Sequence, residues 1–448
     1  MATKQHDGRP LPTYVETAAE DGHLRSLLND CVHCGFCLPA CPTYQLWGEE
    51  ADSPRGRIQI VGQLVAGAPV HGAAAEHLDR CLSCLACVSA CPSGVRYGEI
   101  IEEARAKVER ANARPLPKRL GREAIFALFP YPRRLRAARL LLKAAESTGL
   151  RKLLHYHWLS SHLPAILMAT ERLAPPVTPL ERLPPRVPAR GPSRGAVGLL
   201  VGCVQSVFFS HVNAATARVL AAEGFDVIVA KGQGCCGALS LHAGRMDEAA
   251  RLARKTIDVF RAEGVKLVVA NAAGCGSAMK EYGRFFAGNP PYTEPAAWLA
   301  ERTRDLSELL AEAGPRAERH PVPMRVAFHD ACHLAHAQGI RSQPRELLGQ
   351  IPGLELCEVG DDTCCGSAGV YNIVEPEAAA ELGRRKAAAV RATGAEVVVS
   401  TNPGCLMQIG AWLGSAGCAL PTMHVAELLD LSIRGGEAPR RPLTRPST

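Results

Sequence analysis

The second half of the chain alternates short apolar runs with longer amphipathic stretches. Ala196–Val201, Asp226–Ala230 and Lys266–Ala270 are brief runs dominated by apolar residues. A loop follows each, and apolar positions then return at intervals of three and four. Short runs bounded by turn residues read as buried strands, and the 3.6-residue period after them reads as helix. Arg325–Phe328, Leu354–Val359 and Glu396–Ser400 go through the same succession again. Strand and helix in alternation predict parallel α/β structure. The first 112 residues show only helical periodicity, at His23–Asn29, Arg57–Ala66, Ala73–Leu78 and the charged stretch Ile100–Asn112. The expected fold is multidomain: a helical module, then two duplicated α/β domains.

Cysteine spacing marks the duplication. Cys203 is followed 32 residues later by Cys235-Cys236-Gly237 and then by Cys275. Cys332 is followed 32 residues later by Cys364-Cys365-Gly366 and then by Cys405. Each copy closes alike, with Asp305-Leu306-Ser307-Glu308-Leu309-Leu310 against His424-Val425-Ala426-Glu427-Leu428-Leu429. Matched spacing over this length signals an internal repeat. Every cysteine of the set falls just past the C-terminal end of a strand, the edge where α/β folds gather ligands. Cys203, Cys235, Cys236 and Cys275 should therefore form one site, and Cys332, Cys364, Cys365 and Cys405 another. A cubane cluster, zinc or an unmetallated set of thiols all fit such a quartet.

The helical module carries a second doubled pattern. Cys31, Cys34, Cys37 and Cys41-Pro42 have the same spacing as Cys81, Cys84, Cys87 and Cys91-Pro92, which is that of bacterial 4Fe–4S ferredoxins. Three cysteines at two-residue gaps curl round three corners of a cube. The fourth, sent away by its proline, ligates the other cluster. The expected sets are Cys31, Cys34, Cys37 and Cys91 for one cluster, and Cys81, Cys84, Cys87 and Cys41 for the other. Paired C-x-x-C also binds zinc, but eight ligands with proline in both copies favour two clusters.

Composition narrows the class. The 448 residues include 18 cysteines, and the N-terminus shows no secretory pattern, so the cysteines point to metal and a reducing cytoplasm. No apolar run is long enough for a transmembrane helix. A net charge of +7 is too small to suggest nucleic acid on that ground. Arg114–Arg172 is basic, with 12 Lys/Arg and three Glu, and holds an amphipathic helix at Arg133–Lys143. Its arginines Arg133, Arg134, Arg136 and Arg139 read either as a solvated face or as a docking side for an acidic partner or membrane surface. Trp158 and Leu163–Met168 extend its apolar side. Leu173–Gly195 holds seven prolines and reads as a stiff linker. The expected units are 1–112, 113–195, 196–315 and 322–433, with 434–448 a disordered tail. Cys357 and Cys418 read as core residues. His33 reads either as an exposed, indifferent residue or as one that tunes a cluster by hydrogen bonding. His329, Asp330 and His333 bracket Cys332 and read as supports of its ligation or, for the aspartate, as a helix cap. Tyr371 adjoins Cys364-Cys365 without an assigned role.

With these residues in view a family can be named. Cys31-Val32-His33-Cys34-Gly35-Phe36-Cys37-Leu38-Pro39-Ala40-Cys41-Pro42, the following Asp52-Ser53-Pro54-Arg55-Gly56-Arg57, and Cys364-Cys365-Gly366-Ser367-Ala368-Gly369-Val370-Tyr371 resemble the glycolate oxidase iron–sulfur subunits. The repeats are also similar to those of heterodisulfide reductases, lactate-utilisation proteins and an anaerobic glycerol-3-phosphate dehydrogenase subunit. In heterodisulfide reductases the repeat ends in C-x-x-C, whereas here Ala278 and Gln408 stand at that offset. The resemblance implies an electron-transfer subunit, itself without catalytic residues. It would serve FAD-binding subunits that oxidise glycolate, and pass electrons toward membrane quinone. It also implies a cytoplasmic protein, peripheral on the membrane's inner face. No G-x-G-x-x-G follows a strand, so the flavin is expected on a partner. A disulfide reductase and a zinc scaffold are the competing classes.

Overall fold

The computed structural model describes residues 18–111, 114–148, 165–418 and 420–436. The lead-in 1–17, Asn112, Trp158, Leu163 and the tail from 437 lie outside the described residues.

In the first module the short helices Pro42–Trp47 and Ala86–Ser89 respectively follow the first motif's last cysteine and lie within the second motif. The longer helices are Ala18–Asn29, Pro54–Val65, Gly72–Asp79 and Tyr97–Arg110. Their apolar stripes meet in one core containing Leu24, Leu27, Val61, Leu78, Ile100 and Ile101, each at most 1% exposed. The Asp52–Arg57 stretch shows how sequence sets this geometry. Ser53 caps the helix by accepting from the Gly56 amide, and Pro54 occupies the first turn, where a missing N–H does no harm. A Cβ on Gly56 would lie 1.8 Å from the Glu50 carbonyl oxygen, so only glycine lets the two segments close. Arg57 is then buried. It donates to Thr43 and to the His77 carbonyl, and pairs with Asp52. His77 and Arg80 also reach the Asp52 carboxylate.

The α/β part contains two sheets. The first has strands β1 (Arg186–Val187), β2 (Ala196–Leu200), β3 (Asp226–Ile228), β4 (Leu267–Ala270) and β5 (Thr303–Asp305), in the order β1-β3-β2-β4-β5. The second has β6 (Met324–His329), β7 (Leu354–Glu358), β8 (Val397–Ser400) and β9 (Thr422–His424), in the order β7-β6-β8-β9. All pairings are parallel except β1 with β3. Without β1 the two orders coincide, as a duplication requires. All six expected strands form, with ends displaced by one or two residues. The fourth strand of each copy was not foreseen. Thr303-Arg304-Asp305 and Thr422-Met423-His424 carry no apolar run. Each leads directly into a helix whose capping box uses Asp305 with Glu308, or His424 with Glu427.

One apolar core runs through both sheets. It joins Leu199, Val227 and Val269 of the first copy to Val326, Phe328, Val397 and Leu428 of the second. Outside it, Arg218 of the first copy binds the Asp430 carboxylate of the second. The copies thus fold as one body.

The segments between module and repeats do more than connect. Helix Leu116–Leu128 buries Ile125 and Phe126 against Ala243 of the first copy and Val370 and Ile373 of the second. Leu173–Gly195, expected as a spacer, supplies β1 to the sheet edge. The basic helix runs Pro132–Ser147 with only Leu135 buried. Its four arginines do not act alike. Arg134 turns back to the Ala127 carbonyl and covers the Tyr131 ring, and Arg139 binds the Thr178 carbonyl, while Arg133 and Arg136 are exposed. Arg434, placed in the tail by the sequence reading, ends the helix Val425–Arg434.

Candidate metal centres

The two ferredoxin motifs adopt the same loop. His33 and Ser83 both have positive φ, as do Gly35 and Leu85, two residues further on. Left-handed backbone at matching positions turns three sulfurs toward one point, even where the residue is not glycine. Cys31, Cys34, Cys37 and Cys91 line one small surface cavity, and Cys87 of the second motif reaches it as well. Arg55 steadies its rim by donating to the His33 carbonyl while paired with Glu50. His33 is exposed, with Nδ1 3.9 Å from the Cys31 sulfur.

The other four sulfurs sit deeper. Burial, and then the neighbouring Cys84, Cys81 and Cys41 thiols, push Cys87 well above its ordinary pKa. Burial would do the same to Cys81, but the Arg57 and Arg105 charges outweigh it and hold that thiol below its usual value. Ser83 N and Tyr97 Oη donate to the Cys81 sulfur. Cys41 contacts Thr43 Oγ1 at 3.3 Å. The Ser83 and Tyr97 donors favour thiolate over thiol at Cys81, as ligation to iron requires, whereas the Thr43 hydroxyl donates to the Asp52 carbonyl.

In each repeat the cysteines meet across the strand ends, and the sheet order places Cys203 and Cys275 at the switch point between β2 and β4. Within the first quartet the thiols lie near enough to shift one another: Cys203 and Cys236 raise Cys235, while Cys235 and Cys275 lower Cys236. In the second, Cys364 raises Cys332, and Cys364 lowers Cys365, but Cys405 and burial outweigh that and hold Cys365 well above its ordinary value. Gly237 and Gly366 permit the turn after each Cys-Cys pair. Both have positive φ, and a Cβ on either would approach a helix carbonyl at 2.9 Å. All eighteen cysteines are free, so no disulfide competes for the sulfurs. Cys357 and Cys418 pack against the second copy's core.

The quartets, expected as two separate sites, open on a common space. A cavity of about 240 Å³ is lined by all eight repeat cysteines and also by Cys81 and Cys84 of the second ferredoxin motif. Arg105 spans this junction, donating to Ser83 Oγ and the His242 carbonyl. His333 meets the Ser83 carbonyl at 2.8 Å, His336 meets Ser89, and Tyr371 donates to the Arg80 carbonyl. His242 is fixed by Glu102, which also binds Arg284. None of these bridging roles could be assigned from spacing, because each contact between module and repeats joins residues more than a hundred positions apart in sequence. Beside the second quartet, burial and then the Lys386 ammonium push His329 down to about 3, so its ring is neutral.

A two-motif cysteine module seated on a duplicated cysteine-rich α/β body defines an iron–sulfur protein of the electron-transfer class. Residues 27–95 match the 4Fe-4S dicluster domain, and 197–280 and 326–410 match the cysteine-rich domain. Residues 117–174 match the linker region of the glycolate oxidase iron-sulfur subunit. A probable glycolate oxidase iron-sulfur subunit of Bacillus subtilis is 36% identical over 90% of this chain and 93% of its own length. The glycolate oxidase iron-sulfur subunit of Escherichia coli is 37% identical, covering 85% and 89%. Lactate utilization protein A of Oceanobacillus iheyensis is 30% identical over 54% of this chain and 99% of its own. The chain belongs to the family of glycolate oxidase iron–sulfur subunits. Among the described residues no helix is long and apolar enough to cross a membrane.

Proposed function

We propose that this chain is the electron-transfer subunit of a flavin-dependent glycolate dehydrogenase complex. Glycolate loses two electrons and two protons in becoming glyoxylate, which calls for a flavin as hydride acceptor on a separate FAD-binding subunit. Two 4Fe–4S clusters, ligated by Cys31, Cys34, Cys37 and Cys91, and by Cys81, Cys84, Cys87 and Cys41, supply one-electron chemistry when bound. The repeat quartets hold further metal, and their fit rests on eight buried or half-buried free sulfurs converging in two sets. Around these centres the chain's own residues fix charge and position. Arg57 and Arg105 offset the negative charge of the inner thiolates, Arg55 holds the outer loop, and helix Leu116–Leu128 locks the module to both repeats.

One observation carries the reading. Cys34 is exposed, Cys84 is buried, and the cavity beside Cys84 holds all eight repeat thiols, so the sulfur sites run continuously from surface to interior. Exposed Val32 and Phe36 at the outer rim form the face for the flavoprotein. Arg133, Arg136 and the exposed Leu140 and Leu141 form the peripheral contact with the membrane that holds the quinone. Glycolate is favoured over lactate because the similarity to glycolate relatives continues through the linker, whereas lactate relatives match about half the chain.

Reconstitution tests this. The chain, the flavin subunits, glycolate and a quinone analogue together should give quinone reduction, and omission of any one should abolish it. Turnover of glycolate by the isolated chain, or equal quinone reduction without it, would refute the assignment.

A further inference from the structure

The two repeats differ at one position that faces the sulfurs. In the first sheet β2 and β4 pair Leu200 with Ala270, and in the second β6 and β8 pair His329 with Ser400. Cys203 and Cys332 each follow three residues later, so Leu200 and His329 occupy the same place in the fold. Leu200 is an ordinary core side chain, 1% exposed. His329 is equally enclosed, at 3%, and its Nε2 has no hydrogen-bond partner. A buried polar nitrogen left unpaired is unfavourable, and a core position alone gives no reason to keep it. A ring nitrogen of His329 and the sulfurs of Cys365 and Cys405 all lie within 4.8 Å of one another. Around a tetrahedral ion, with metal–sulfur bonds near 2.3 Å and metal–nitrogen bonds near 2.0 Å, ligand atoms are roughly 3.5–3.8 Å apart. The three atoms therefore lie close enough together for one metal to gather them.

We propose that His329 is a metal ligand, forming with Cys365 and Cys405 a mixed imidazole–thiolate centre in the second repeat, while the first repeat's centre is all-thiolate. This rests on the reading that the repeats bind metal. Lys386 adds to the asymmetry. It is fully buried and paired with Asp361 at 3.1 Å. Ala249 and Ala379 occupy matching places, each presenting its carbonyl to the glycine after the Cys-Cys pair. Seven residues on stand Thr256 in the first copy and Lys386 in the second. The Lys386 charge is balanced by Asp361, while a neutral imidazole ligand makes a mixed centre less negative than an all-thiolate one. If it contains iron, it then has the higher reduction potential and collects electrons.

The test uses the full chain, purified anaerobically with 15N-labelled histidine, as wild type, His329→Leu and His329→Cys. Iron and zinc are counted per chain, X-ray absorption is recorded at both edges, and pulsed EPR is recorded on the reduced protein. Wild type should show a nitrogen ligand at about 2.0–2.1 Å on one metal. His329→Leu should lose that ligand and the second repeat's metal, whereas His329→Cys should keep the metal with sulfur in place of nitrogen. Nitrogen at the zinc edge identifies a lone ion, and 15N coupling to a reduced cluster identifies cluster iron. Either result supports the proposal. Metal beyond the roughly eight irons of the dicluster module, with only sulfur ligands, overturns the histidine assignment and leaves the repeats as metal sites. No metal beyond those eight irons overturns both.

Discussion

The two ferredoxin motifs have one spacing and two environments. Around the first, Cys34 is exposed, and Val32 and Phe36 stand 68% and 66% open to solvent. Around the second, Cys81, Cys84 and Cys87 are each under 10% exposed, and Cys81 and Cys84 share a cavity with both repeats. Spacing sets how sulfurs surround a cube. Burial, nearby charge and hydrogen bonds to sulfur set the potential and decide what can approach. The outer motif is built for contact with another protein, and the inner one for contact with the repeats.

The sharpest way to break this comparison is to remove one ligand from each side. Cys84→Ser and Cys34→Ser should each lower iron by about four atoms per chain, leave flavin reduction by glycolate intact and abolish quinone reduction. Of the two, only Cys84→Ser should also change the absorption or metal content of the repeats, because Cys84 lines their cavity and Cys34 does not. Full quinone reduction with undiminished iron in Cys84→Ser would refute the assignment of that cluster.

A second contrast separates the two arginines of the Asp52–Arg57 stretch. Arg57 is 1% exposed, and its loss leaves Asp52 buried with fewer partners, so Arg57→Met should cost about 3 kcal/mol of unfolding free energy. Arg55 pairs with the half-exposed Glu50, and Arg55→Met should cost less than about 1 kcal/mol. Denaturant titration of both variants checks the ranking, and equal losses would contradict it. The smallest effect on the fold is expected at the rim. Phe36→Ala should change stability by less than about 0.5 kcal/mol and keep all iron, yet weaken association with the flavin subunits. Unchanged association, measured by light scattering or calorimetry, would move the docking face elsewhere.

Much of the chemistry was legible without coordinates. Covalent spacing alone brings Cys31, Cys34 and Cys37 round one centre, and a strand ending three residues before Cys203 or Cys332 puts that thiol at a ligand edge. The expected strands were brief but largely apolar runs. Those missed were β5 and β9, which are short and partly polar, and β1, an edge pair inside a proline-rich stretch. His329 was seen only as a neighbour of Cys332. Laying the two copies side by side would have set it against Leu200, but only burial and the unpaired nitrogen give the difference meaning.

By itself, then, the sequence determined the ligand spacings, the duplication and the order of helices and strands, because these depend on local backbone geometry and on periodic burial. The tertiary structure decided that Cys81 and Cys84 face the repeat thiols across one cavity and that Arg105, His333 and Tyr371 bridge the module to the repeats. It also decided which motif meets solvent. Those proximities join residues more than a hundred positions apart. They follow from how a shared core and the Leu116–Leu128 clamp pack the parts together, which no local pattern encodes.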